Sequence, residues 1–147
     1  MTTYSHIGGC HCGMLRWNLE STLCVTNFTP RACDCDFCTR HHAAWISDPK
    51  GTLTLHVLQT GVLQRYRQGS EQAEFIICRD CGVLVAVVAT DTRGTLLGAV
   101  NRNAFDHREA FPAEEIVSPQ RLSPEQKLAR WSEAWTPTQI RIGQLKS

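Results

Sequence analysis

No apolar run in this sequence approaches the ~20 residues that a membrane-spanning helix requires, which excludes a bilayer helix at the outset. The first residues, MTTYSHIGGCHCG, lack a positively charged stretch leading into an apolar core, so no secretory leader is expected. An excess of charge of one sign is missing too: 15 Lys and Arg stand against 14 Asp and Glu, a formal net of +1, with no basic run. A polyanion or an acidic membrane surface finds no electrostatic handle here, and neither nucleic acid nor membrane is expected as a partner. Repeats, low-complexity tracts and linker-like segments are absent, so the 147 residues read as a single domain, 1–147. A chain of that length buries about two thirds of the surface its unfolded form exposes, and so does not need a metal merely for want of a core.

Cysteine, by contrast, is abundant, with eight in the chain. The protein reads as soluble and cytoplasmic. In a reducing compartment, tight C-x-C and C-x2-C spacings point to metal chelation or catalysis ahead of disulfides.

Most of the first hundred residues read as β structure. MLRWNL (Met14 to Leu19) and TLTLHV (Thr52 to Val57) alternate apolar and polar positions as half-buried strands do, and FII leading into Cys78 continues the pattern. VLVAVVA (Val83 to Ala89) is apolar throughout and predicts a strand covered on both faces. Near the end, LSPEQKLARWSEAW places Ser123 as N-cap, Pro124 at the first helical position and Gln126 to close a capping box, predicting one short amphipathic helix. Leu128, Trp131 and Trp135 are spaced to dock that helix on a sheet, which makes the tryptophans core residues rather than a ligand-stacking surface. The expected fold class is mainly β with a short C-terminal helix.

Seven cysteines fall in three clusters: Cys10-x-Cys12, Cys33-x-Cys35-x2-Cys38 and Cys78-x2-Cys81. The two pairs together supply four thiolates, the complement of a closed tetrahedral zinc site with Zn–S near ~2.3 Å. Gly8 and Gly9 precede the first pair, Gly13 closes it and Gly82 follows the second, giving the backbone freedom to aim two sulfurs at one ion. Such a site would clamp the N-terminal strand to the region around residue 80, and it reads as structural. The spacings match neither ferredoxin pattern, which leaves zinc ahead of an iron–sulfur cluster. Cys24, in TLCVTN, has no neighbouring ligand and is expected in the core.

The triplet offers a second ion only three thiolates. A zinc site with three protein ligands keeps one position for water or a substrate atom, the arrangement that separates catalytic from structural zinc. A free thiol has a pKa of ~8.5, and coordination removes its proton outright. Three thiolates also weaken zinc as a Lewis acid, which disfavours water-activating hydrolysis and favours chemistry at sulfur, such as adding a thiol to an aldehyde carbonyl or releasing it. Arg40, two residues past Cys38, is a candidate to offset the negative charge or to bind a substrate carboxylate through its planar fork. His41 or His42 is a candidate to move the proton of the new hydroxyl. An ion with an exchangeable fourth ligand is expected to be labile.

GGCHCG (Gly8 to Gly13), CDCDFCTR (Cys33 to Arg40) and CRDCG (Cys78 to Gly82), in this order, resemble the glutathione-dependent formaldehyde-activating enzymes and centromere-protein-V-like proteins. The resemblance implies an Mss4-like, zinc-stapled β-sheet fold. It implies carbon–sulfur lyase activity, as in members that form S-hydroxymethylglutathione from formaldehyde and glutathione. It further implies two zinc ions, a structural one on Cys10, Cys12, Cys78 and Cys81 and a catalytic one on Cys33, Cys35 and Cys38. The partners implied are a small thiol such as glutathione and a small aldehyde. The chain departs from the family pattern after the triplet, where Thr39-Arg40-His41-His42-Ala43 replaces a basic pair followed by Ser or Thr and Gly, and again in NRNAFDHREAFPAEEIVSP (Asn101 to Pro119).

A second reading keeps the metal and drops the chemistry: a zinc-stabilised binding module whose second ion is closed by Cys24 or a histidine, since fold does not fix function. The sequence leaves open the aldehyde, the thiol, the direction of reaction and the oligomeric state.

Overall fold

The structure, a computed structural model, describes residues 3–143. In chain order its elements are β1 (Tyr4–Gly9), β2 (Leu15–Ser21), β3 (Arg31–Cys33), α1 (Asp36–Arg40), β4 (Ala44–Ile46), β5 (Thr52–Val57), β6 (Leu63–Tyr66), β7 (Ala73–Cys78), β8 (Leu84–Thr90), β9 (Leu96–Asn101), β10 (Glu115–Val117), α2 (Pro124–Ala134) and β11 (Thr136–Ile142). The mainly β architecture with a helix near the C-terminus is as the sequence leads one to expect. None of the helices among the described residues is long and apolar enough to cross a membrane.

Alternation decides the first sheet. In β2 the side chains of Leu15, Trp17 and Leu19 point inward, and in β5 those of Leu53, Leu55 and Val57 do, so the antiparallel register Trp17↔Leu55, Leu19↔Leu53 places both sets on one buried face. β1 completes the hairpin with β2. The second sheet runs β6-β7-β8-β9, and the far edge of β9 is shared by β4 and the start of β11. β3 and β10 extend from β4, the latter in parallel.

β11 joins the two sheets. Thr136 pairs with Gly98 of β9, after which the strand crosses to run parallel to β5, with Ile140 opposite Leu55. The local sequence signal stops at the helix and does not flag this strand, because TPTQIRI carries a proline at its second position and its partners lie far away in the chain. The crossing point is fixed by polar groups: the Asp48 backbone N–H donates to Thr136 Oγ1 at 2.8 Å, and Ser47 Oγ donates to the Ala134 carbonyl at 2.7 Å. These bonds seat the end of α2 over β4.

Two packed cores result. Trp17, Leu53, Val88, Val100 and Phe105 belong to the first, and Cys33, Cys38, Trp45, Phe75 and Trp135 to the second. β8 feeds both, with Val85 and Val88 on one side and Leu84 and Val87 on the other, which accounts for its unbroken apolar run. At the start of α2 both arms of the capping box form, Gln126 N to Ser123 Oγ at 3.1 Å and Ser123 N to Gln126 Oε1 at 2.9 Å.

Candidate metal centres and the adjoining cleft

The two cysteine pairs occupy the turns of two hairpins. Between β1 and β2, Cys10 N donates to Leu15 O at 2.9 Å; between β7 and β8, Gly82 N donates to Cys78 O at 2.8 Å. Gly13 (φ 85°) and Gly82 (φ 80°) take left-handed conformations that a side chain would strain, so each turn folds tightly enough to aim two sulfurs the same way. Gly8 is extended and serves packing instead, since a Cβ there would stand 2.0 Å from the Ala104 carbonyl. The four ligand sulfurs lie within 4.8 Å of one another, with Cys10 to Cys12 and Cys12 to Cys78 both at 3.6 Å. Sulfurs placed tetrahedrally at ~2.3 Å from an ion stand about 3.8 Å apart. The donor set and spacing therefore fit a closed zinc site that ties the first sheet to the second.

The triplet is built differently. Cys33 ends β3, Cys35 caps α1 by accepting from Cys38 N at 3.4 Å, and Cys38 sits in the helix with 1% of its surface exposed. Asp34, between the first two, is held by Ser118 Oγ and by Gln120 Nε2 at 3.1 Å, so the segment after β10 braces the cysteine loop. The three sulfurs lie within 4.8 Å of one another, and among the described residues no further Cys, His, Asp or Glu joins them. Crowding sets their ionisation. The Cys33 and Cys38 side chains draw the Cys35 thiol well below its ordinary value, whereas Cys33 and Cys35 drive the Cys38 thiol far above its own. Three thiolates at such separations need a cation between them. The trio could hold a metal ion with one ligand fewer than the pairs.

A cleft of about 570 Å³ opens beside this trio and is lined by all three of its cysteines. Arg31, Lys127 and Arg130 supply its cations, and none of them takes part in the ion pairs found among the described residues. Burial and the nearby Arg130 charge lower the pKa of Arg31, with Glu115 opposing them. Trp45, Phe75, Trp131 and Trp135 form the apolar wall.

The family model described as glutathione-dependent formaldehyde-activating enzyme matches residues 5–120, a span that includes both cysteine groups. This chain belongs to that family. A structural-genomics crystal structure of a Rhodobacter sphaeroides protein is similar to it with a TM-score of 0.53 and 22% identity, covering 82% of this chain and 93% of that one, a likeness of fold alone. A comparison with curated proteins found no match.

The formaldehyde-activating family framework leaves the residues after the triplet to this chain's own geometry. Arg40 does not line the cleft: its Nε pairs with Asp36 Oδ2 at 3.0 Å across one turn of α1, and its side chain is 76% exposed. The cations at the cleft are Arg31, Lys127 and Arg130, which the sequence reading did not select. His41 packs its ring on Phe37 at 4.8 Å, and the His42 carbonyl accepts from Asn103 Nδ2; neither lines the cleft. Cys24 is half-buried, joins neither core nor either cysteine group, and contacts Thr26 Oγ1 at 3.2 Å. The expectation that Trp131 and Trp135 serve only as core needs correcting, because they pack on the second core and also line the cleft. Lys127, Arg130, Trp131 and Ala134 fall on one helical stripe, a spacing that could have flagged them had the helix's partner been known.

Proposed function

We propose that the protein is a zinc-dependent carbon–sulfur lyase that joins or separates the sulfur of a small anionic thiol, such as glutathione, and the carbonyl carbon of a small aldehyde. The observation that carries this reading is a trio of thiols opening into a cleft whose cations, Arg31, Lys127 and Arg130, have no carboxylate partners among the described residues. A zinc ion held by Cys33, Cys35 and Cys38 supplies the means to keep an incoming thiol deprotonated at neutral pH. Membership of the formaldehyde-activating family supports the same substrate pair.

The chain's own residues bind and orient. Arg31, Lys127 and Arg130 attract the carboxylates of the thiol, Arg31 through a planar fork that suits two oxygens. Gln68 Nε2, 4.0 Å from Cys35 Sγ, is an amide donor within reach of an oxygen developing beside the sulfurs. In the forward direction the sulfur lone pair forms the C–S bond, the carbonyl π pair withdraws to oxygen, and that oxygen takes a proton from solvent to give a hemithioacetal. The reverse sequence releases thiol and aldehyde. Nothing is oxidised or reduced.

The cytoplasm suits this chemistry, because all eight cysteines are unpaired and a reducing compartment keeps them so. The non-catalytic module has less support, since a closed second site needs a fourth protein ligand and Cys24 lies elsewhere. The test is aldehyde loss by zinc-replete protein with glutathione, with a neutral thiol and with none. Glutathione-dependent loss that Cys38→Ser abolishes is expected; a folded Cys38→Ser protein with full activity overturns the assignment.

A further inference from the structure

Formaldehyde is a molecule of about one or two water volumes, ~30 Å³ each, whereas the cleft holds about 570 Å³. The cations account for an anionic thiol but occupy only part of the wall. Along α2, Lys127 and Arg130 give way to Trp131 and Ala134 on the same stripe, with the exposed Glu133 beside them, so the helix shows the cleft a cationic end and an end dominated by tryptophan. Trp131 and Trp135 stack with ring centroids 4.6 Å apart and planes 14° from parallel. From the sheet, Trp45 and Phe75 line the cleft with their rings 6.1 Å apart. Cys33 and Cys38 belong to the same buried cluster as Trp45, Phe75 and Trp135, so the aromatic wall begins at the reactive sulfurs. A polar peptide group set against that wall loses water without regaining hydrogen bonds. A planar apolar group gains from the same contact.

We propose that the aldehyde used by this protein carries an aromatic or extended apolar substituent, seated against Trp45, Phe75, Trp131 and Trp135 with its carbonyl carbon at the cysteine trio. The proposal rests on the thiol–aldehyde reading above and adds the class of the carbonyl partner. The bond-making step is unchanged, and the substituent takes no part in it.

Two measurements on zinc-replete protein test it. The first compares kcat/KM for benzaldehyde and formaldehyde at one glutathione concentration, with formaldehyde plus phenylmethanethiol as a third arm. The second compares the Kd of two unreactive adduct mimics, S-benzylglutathione and S-methylglutathione. Benzaldehyde is expected to exceed formaldehyde at least tenfold, the benzyl thioether to bind at least tenfold tighter, and Trp131→Ala to narrow both ratios. Equal rates with equal binding overturn the proposal while leaving the lyase reading intact. Should formaldehyde with phenylmethanethiol be the best pair, the wall serves the thiol and the proposal falls. If no aldehyde is consumed with any thiol, the lyase reading fails and the aldehyde assignment fails with it, while the thioether pair still reports whether the cleft selects an apolar group.

Discussion

The sulfurs of Cys12 and Cys78 stand 3.6 Å apart although 66 positions separate them in the chain, so one ion would fasten two hairpin turns belonging to different sheets. Apparent zinc binding by such sites is worth about 10–16 kcal/mol, comparable with the ~5–15 kcal/mol stability of a whole domain. Cys78→Ser is therefore expected to abolish the cooperative thermal transition and the near-UV circular dichroism signal. Zinc content measured beside the wild type checks that the loss follows the metal.

At the trio the expected outcome is different. Cys35→Ser removes one of three ligands while serine, a good N-cap in its own right, keeps α1 in place. With the four-cysteine clamp intact, the melting temperature is expected to stay within a few degrees of wild type, about the effect of 1 kcal/mol. Bound zinc is expected to fall by one ion. Activity is expected to drop by more than the ~10–100-fold that loss of an outer-shell partner costs.

The cations can be separated by charge and by place. Replacing Lys127 and Arg130 together by Met is expected to raise the KM for glutathione about fivefold or more, as partly exposed charges contribute on the order of 1 kcal/mol. The KM for an uncharged thiol should not follow. Arg40→Met serves as the comparison, because Arg40 does not itself line the cleft and its exposed guanidinium is already paired with Asp36. Added salt should mimic the double substitution in the wild type.

Asp48 gives the fold a pH-dependent contribution at the seam between the sheets. Burial raises its pKa, but hydrogen bonds from Thr22 N at 2.9 Å, Lys50 N at 2.9 Å, Ser21 Oγ at 2.8 Å and Thr22 Oγ1 at 2.8 Å outweigh it and hold the carboxyl below its ordinary 3.8. A depressed folded pKa means that the stabilisation is complete above the unfolded value and fades as pH falls through the folded one. Asp48→Asn faces one of these donors with an amide N–H, so it is expected to cost about 1–3 kcal/mol at pH 7. Urea midpoints of the two proteins should converge as the pH is lowered below about 4.

Much of this protein was legible locally. The β5 strand, the both-sides-buried β8, the capping box at Ser123 and the grouping of seven cysteines into four and three all follow from patterns within a few residues, where periodicity, turn glycines and ligand spacing act directly. What lies at the cleft was not legible. In the sequence, Lys127 and Arg130 look like the solvated face of a helix and Trp131 like its core face, while Arg40 looks well placed because it is near Cys38 in the chain.

Only tertiary structure reverses that ranking. β11 threads between β5 and β9, Ser47 and Asp48 pin its start, and α2 is thereby laid across the triplet with its mixed stripe turned inward. Arg40 meanwhile finds Asp36 one turn away and turns outward. By itself the sequence determined which atoms could grip metal, because chelation depends on short spacings. Which side chains a substrate would meet was decided by strand pairings between distant segments, whose register no local signal encodes.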